Sequence, residues 1–367
     1  MNLERNPTAA MTYPPVLRIW SALTAVVAFV TILMGTLVTT FHVGMTDPLW
    51  PTAPWHLLLI EKVPNFGFYV EHTHRIVGYL IGTLVLVQTV CLWWSSPSKL
   101  RRWGAIAAMV VTSAGTAYGM RLVKTADSRS MEALGNVGFL IAALGAVSFL
   151  TCAGFELASR SAGRWQRCFV TLVLVGVIVQ GLLGGMRVYL NEILGPWLAV
   201  IHGLFAQSVF ALSVLLAVMT TTDWNSLTDW FASRPVRLVS LFLAPLVFVQ
   251  IIFGGLLRHL DWPLAARLHP MLAFAVAIVV VVLLAQVFMA GDGSRAVRRL
   301  GYLLGIFLIA QVILGVEAFV RASNPELRQL PVTVPDAAIR SLHVLIGFGI
   351  FATSTVLLAR TWKAKLL

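Results

Sequence analysis

The sequence predicts an all-α, polytopic membrane bundle, and three observations carry that prediction. Mean hydropathy is +0.85, and 58% of the 367 residues are hydrophobic while only 11% are charged. A soluble domain needs far more charge to cover its surface. The apolar residues fall into long runs, each near the roughly 20 residues that one bilayer crossing takes. The net charge of +12 is distributed as short basic clusters between those runs, so it points to membrane topology and away from a nucleic-acid-binding stripe.

The apolar runs predict helices near 17–41, 73–94, 103–122, 132–155, 166–187, 197–220, 237–257, 268–290, 299–320 and 340–360. Ten crossings put both termini on one side. One set of connections holds Arg5 and Arg18; Lys99, Arg101 and Arg102; Arg160, Arg164 and Arg167; Arg234 and Arg237; Arg295, Arg298 and Arg299; and Arg360, Lys363 and Lys365. These make up 16 of the 27 basic residues, and this side, with both termini, is expected to face the cytoplasm. The first fifteen residues lack the form of a signal or transit peptide, so the first helix is expected to be retained as an anchor.

Two opposite-side loops, about 42–71 and 322–339, are proline-rich, which discourages long regular helices. The segment Trp55-His56-Leu57-Leu58-Leu59-Ile60 is expected to lie along the membrane surface, with Trp50, Trp55, Trp197 and Trp262 in the interfacial belt. Cys91, Cys152 and Cys168 lie in or beside apolar segments and indicate neither a disulfide framework nor a CxxC metal site.

An internal repeat organises the chain. Thr31-Ile-Leu-Met-Gly35, Gln180-Gly-Leu-Leu-Gly184, Gln250-Ile-Ile-Phe-Gly254 and Gln311-Val-Ile-Leu-Gly315 share a polar residue, three mainly apolar residues and a glycine. Each of the helices that follow carries a histidine with a small residue four places on: His74 and Gly78, His202 and Ala206, His269 and Ala273, His343 and Gly347. Residues four apart share a helix face, so each imidazole has a clearing beside it that suits a porphyrin plane. The later histidines recur about every 70 residues, and the longer interval from His74 to His202 falls to a similar value once an inserted hairpin of about 60 residues is removed.

The chain therefore divides into a first helix pair (1–101), an inserted hairpin (102–160), a second pair (161–222) and a four-helix C-terminal half (223–367). The eight-helix core comprises two related halves, pairing His74 with His202 and His269 with His343. Two imidazoles facing across a bundle can hold haem iron. Four membrane histidines in register favour ligation over isolated interhelical hydrogen bonds. His42, His56, His72 and His259 lie outside the pattern and are read as loop or interface residues.

Glu71 lies three residues before His74, either complementing the helix dipole or serving chemistry beside the iron. Arg75, Arg187, Arg258 and Arg321 sit at outer helix ends, as snorkelling anchors or as partners for haem propionates.

The run Glu71-His72-Thr73-His74-Arg75-Ile76-Val77-Gly78 resembles the Glu-x-x-His-Arg signature that opens the second core helix of haem A synthases. Gln180-Gly-Leu-Leu-Gly-Gly185 and Gln250-Ile-Ile-Phe-Gly-Gly255 look like that family's odd-helix motif, followed by His202 and His269. Gly44-Met-Thr-Asp-Pro-Leu-Trp-Pro-Thr52 is similar to its first outer loop. The resemblance implies oxidation of a ring methyl of haem O to a formyl group, giving the haem A of cytochrome c oxidase. It assigns His269 and His343 to a haem b cofactor, His74 and His202 to the substrate haem, and an essential role to Glu71. Haem O synthase, oxidase assembly factors and an electron acceptor or donor would be its partners, in the cell's inner (plasma) membrane with the haem sites toward the outer side.

Three features depart from the family: His72 replaces an aromatic residue, the outer-loop cysteine pair is missing, and the hairpin is additional. The residues alone leave two alternatives, a b-type haem electron-transfer protein acting as a quinol oxidoreductase and a non-enzymatic haem carrier. A haem O-forming prenyltransferase is disfavoured, because no DxxxD pair for diphosphate and magnesium is present.

Overall fold

Among the described residues, ten helices long and apolar enough to cross a membrane dominate the fold. In the computed structural model, residues 13–46, 65–125, 127, 129–159, 161–225, 232–289 and 294–366 are described. The predicted surface segment at 55–60, with Trp50 and His56, lies outside them. The helices are α1 (Pro15–Thr40), α2 (Phe66–Trp94), α3 (Lys99–Thr125), α4 (Arg129–Ala158), α5 (Arg164–Tyr189), α6 (Asn191–Met219), α7 (Arg234–Leu260), α8 (Pro263–Met289), α9 (Arg295–Ser323) and α10 (Val334–Leu366). Two short helical segments, Thr222–Asn225 and Pro325–Gln329, complete the described helices.

The helices start and stop where local chemistry allows. Pro15 and Pro235 occupy first-turn positions, where no intrahelical donor is lost. Asn65, Ser233 and Ser294 cap α2, α7 and α9 by accepting from the backbone N–H of Phe68, Val236 and Val297. Asp261 ends α7 in the left-handed conformation, φ 49°, and α8 begins two residues later, so this outer connection is very tight. Leu190 alone separates α5 from α6.

Packing forms two four-membered rings. In the N-terminal half the neighbours run α1, α2, α5, α6 and back to α1; in the C-terminal half they run α7, α8, α9, α10 and back to α7. The rings meet through α6 against α7 and α10, and through α1 against α10. Helices α2 and α6 thus occupy opposite corners of one ring, and α8 and α10 opposite corners of the other.

The α3–α4 hairpin packs outside the first ring, against α2 and α5. Its two helices touch backbone to backbone. A methyl group at Gly115 would come within 2.7 Å of the Ala142 N, and one at Gly138 within 2.7 Å of the Gly119 N. Small residues permit that approach in a membrane helix pair.

At the far end a charge network built on the fully buried Glu156 and Arg167 fastens the hairpin to the ring. Glu156 accepts from Arg167 Nη2 at 2.5 Å and from Arg101 Nε at 2.7 Å, with Ser96 and Ser161 also donating. Arg167, expected as an ordinary loop charge, is therefore buried; its guanidinium is matched by a carboxylate from the preceding helix, as a buried charge requires.

Two expectations change. The helices begin earlier than the apolar runs near 73, 197, 268 and 340, so the four histidines lie about two to three turns inside them rather than close to their first residues. The loop expected at 322–339 is largely helical, with Pro335 accommodated in the first turn of α10.

Candidate functional site

Each repeated histidine meets the repeated glycine of its own preceding helix. A methyl group at Gly35 would lie 3.1 Å from His74 Cε1; at Gly184, 3.5 Å from His202 Cε1; at Gly254, 2.9 Å from His269 Cε1; at Gly315, 3.0 Å from His343 Cε1. At Gly35, Gly254 and Gly315 the imidazole crowds the space a side chain would fill, whereas at Gly184 a methyl group would meet the ring at ordinary contact distance. The four glycines lie about one and a half to two turns before the last residues of their helices, Thr40, Tyr189, Leu260 and Ser323. The histidines therefore share a level. All four rings are half-buried, and beside the first pair Gly78, Gly181 and Gly203 face open space.

The polar residue four before each glycine supports the ring. His74 Nδ1 is 3.0 Å from Thr31 O, and His269 Nδ1 is 3.1 Å from Gln250 O. A backbone carbonyl can only accept, so Nδ1 carries the proton and Nε2 keeps its lone pair, the arrangement common to metal-ligating histidines. Gln180 Nε2 donates to the His202 carbonyl at 3.0 Å and lies 3.2 Å from its ring nitrogens. Gln250 Nε2 donates to the His269 carbonyl at 2.8 Å. Gln311 Nε2 lies 3.4 Å from His343 Nε2.

Across the second ring, the His269 and His343 centroids are 6.3 Å apart at an interplanar angle of 77°. A metal–imidazole bond of about 2.0 Å on each side, plus about 1.1 Å from nitrogen to ring centre, spans about 6 Å. The pair is thus spaced for one metal ion between them. Among the described residues no three His, Cys, Asp or Glu are grouped around one point; His269 and His343 could hold a metal that brings its remaining ligands with it, as haem iron does. In the first ring, His74 and His202 stand on the opposite corners formed by α2 and α6.

No family model, curated protein or solved structure matches this chain. Its functional reading rests on the site itself.

The charged residues take distinct positions. Glu71 is buried; its Oε1 pairs with Arg75 Nη2 at 2.6 Å, and its Oε2 accepts from the Thr46 N–H at 2.8 Å. It thereby ties the entry of the outer loop to α2, one turn from His74. Arg187 is electrostatically coupled to Glu71, His74 and His202. Arg258 donates to Thr36 O and Thr40 Oγ1 of α1, linking the two rings, and it also faces His343 and Arg340. Arg321 pairs with Asp336 at 2.5 Å.

The sequence reading did not single out Arg340, which opens the apolar stretch of α10 three residues, just under one turn, before His343; the i, i+3 spacing could have found it. His72, expected as a loop or interface residue, is buried in α2, stacked on Phe68 with centroids 3.6 Å apart. Its flat imidazole packs against that ring as an aromatic side chain would, and its Nδ1 is satisfied by Phe68 O at 3.1 Å.

Proposed function

We propose that this protein is a haem A synthase, oxidising a ring methyl of haem O to a formyl group. The observation that carries the reading is the His269–His343 pair, spaced 6.3 Å across a helix ring; His74 and His202 stand on the corresponding opposite corners of the other ring, each against the glycine of its preceding helix. Bound haem would supply redox chemistry at iron; the protein's part is to hold two such groups in adjacent rings.

In this reading His269 and His343 hold haem b, while His74 and His202 hold the substrate. Arg258 and Arg340 present positive charge beside His343, and Arg75 and Arg187 do so beside His74; carboxylates of a porphyrin would meet either pair. Arg321, already paired with Asp336, is left as a support for the second outer connection. Glu71 is the acidic group nearest in sequence to the substrate histidine. Held by Arg75 and the Thr46 amide, it is positioned to take up a proton or to balance developing positive charge.

The plasma membrane, cytoplasmic termini and an outward-facing haem level complete the proposal. Expression in a host that makes haem O but lacks its own synthase, followed by haem extraction, tests it. Haem A should appear. Bound haem b without haem A would instead identify an electron-transfer protein or a carrier.

A further inference from the structure

The outer surface of the second ring carries two charges that neither histidine pair uses. Along α8, Arg267, Met271, Phe274 and Ile278 are exposed and spaced three and four apart, so they form one stripe. Along α9, Ile306, Ile309, Ile313 and Glu317 form another. The two helices are neighbours in the ring. Helix α9 is also the least covered span: 6% of its apolar stretch is buried, against 22–50% in the other nine.

Near its outer end each stripe carries one charge, and the two are opposite in sign. They also lie at one depth. Glu317 is two residues outward of Gly315, which packs on His343, and Arg267 is two residues outward of His269. The His269 and His343 rings are neighbours, so each charge sits about 3 Å beyond a common level. Among the described residues neither forms an ion pair or a hydrogen bond. Arg321, one turn beyond Glu317, is already held by Asp336 at 2.5 Å. An arginine can stretch toward the headgroups, but a glutamate is too short to do so. A carboxylate facing lipid is costly unless it meets a cation.

We infer that a second copy of this chain covers this face, in a two-fold contact that pairs Glu317 of each subunit with Arg267 of the partner subunit. A two-fold axis along the membrane normal preserves depth and exchanges left for right, so α8 of one subunit lies on α9 of its partner, and the reverse. Both acids and both bases are then neutralised. Met271 and Ile313, each one turn inward of its charge, face each other across the same contact. A partner of different sequence would have to bring an acid and a base of its own to this depth, whereas this chain already presents both. The inference is independent of the haem reading, and it leaves the first ring outside the contact.

The test uses the full-length protein in lipid nanodiscs, with two different affinity tags on co-expressed copies. Wild-type copies should co-purify. Glu317→Arg presents only positive charge across the contact, and Arg267→Glu only negative, so each variant alone should be recovered as a monomer. Co-expressed with one another, the two variants should form mixed dimers, because each supplies the charge the other lacks. Pairing of the two charges within one subunit predicts no such rescue.

Should either charge-reversed chain fail to insert, a second measurement leaves the charges in place. Met271→Cys in one copy and Ile313→Cys in the other, treated with a short bismaleimide, should give a cross-linked mixed dimer that neither substitution gives alone. Monomeric wild-type protein overturns the inference. So does undiminished pairing of each charge-reversed variant with itself, failure of the two inserted variants to pair with one another, or absence of the cross-link.

Discussion

Glu71 and the four histidines are where single side chains decide between readings. The Glu71 carboxylate holds both Arg75 and the Thr46 amide, so Glu71→Gln keeps an acceptor for one while weakening the other. If the carboxylate only fastens the loop, the variant should lose stability with turnover little changed. If it acts on protons or charge in the reaction, turnover should fall by about 10²- to 10⁴-fold while haem b is retained and haem O or a partly oxidised haem accumulates. We expect the second outcome, measured by pigment extraction from the purified variant. The histidine pairs should divide likewise. His269→Ala or His343→Ala should strip the tightly held haem and its absorbance. His74→Ala or His202→Ala should impair conversion with much of that absorbance remaining, and equal loss in all four would end the division of labour.

Helix packing explains which features the sequence could disclose. The Thr31, Gln180, Gln250 and Gln311 motifs were legible because a glycine four residues on is a composition signal, and the histidine contacts with Gly35, Gly184, Gly254 and Gly315 are what that signal encodes. The helix starts were not legible, because α2, α6, α8 and α10 continue beyond their apolar stretches and hydropathy stops where the polar turns begin. The buried Glu156–Arg167 pair was invisible for a related reason: a charge at an apolar boundary looks alike whether it faces water or a partner. Removing that partner is costly. Glu156→Ala should destabilise the protein by about 3–5 kcal/mol, since it leaves the fully buried Arg167 without its carboxylate, whereas Lys99→Ala should be nearly silent; thermal melts in detergent compare them. In the hairpin, Gly138→Val should loosen α3 from α4, because the added atoms meet the Gly119 backbone, which cannot rotate aside as a side chain would. Engineered cysteine pairs across the two helices should then cross-link less readily.

For the molecule as a whole, ten membrane-crossing helices among the described residues would put both termini on one side, and with the basic connections on that side reporter fusions at the C-terminus should respond as cytoplasmic; a periplasmic response would mean an odd number of crossings. The two-ring plan sets one proposed haem in each ring, with α6 packed on α7 and α10, and α1 on α10, between them. The common level of the four histidines has an electrical consequence. Moving one elementary charge through the whole bilayer at 100 mV exchanges about 2.3 kcal/mol with the field, but a step between two positions at the same depth runs along an equipotential. An electron passed from ring to ring would travel parallel to the membrane plane, so its rate would be indifferent to the energised state of the cell. In sealed vesicles, turnover is expected to stay constant as a potassium diffusion potential is imposed in either direction; a severalfold response would place the two centres at different depths.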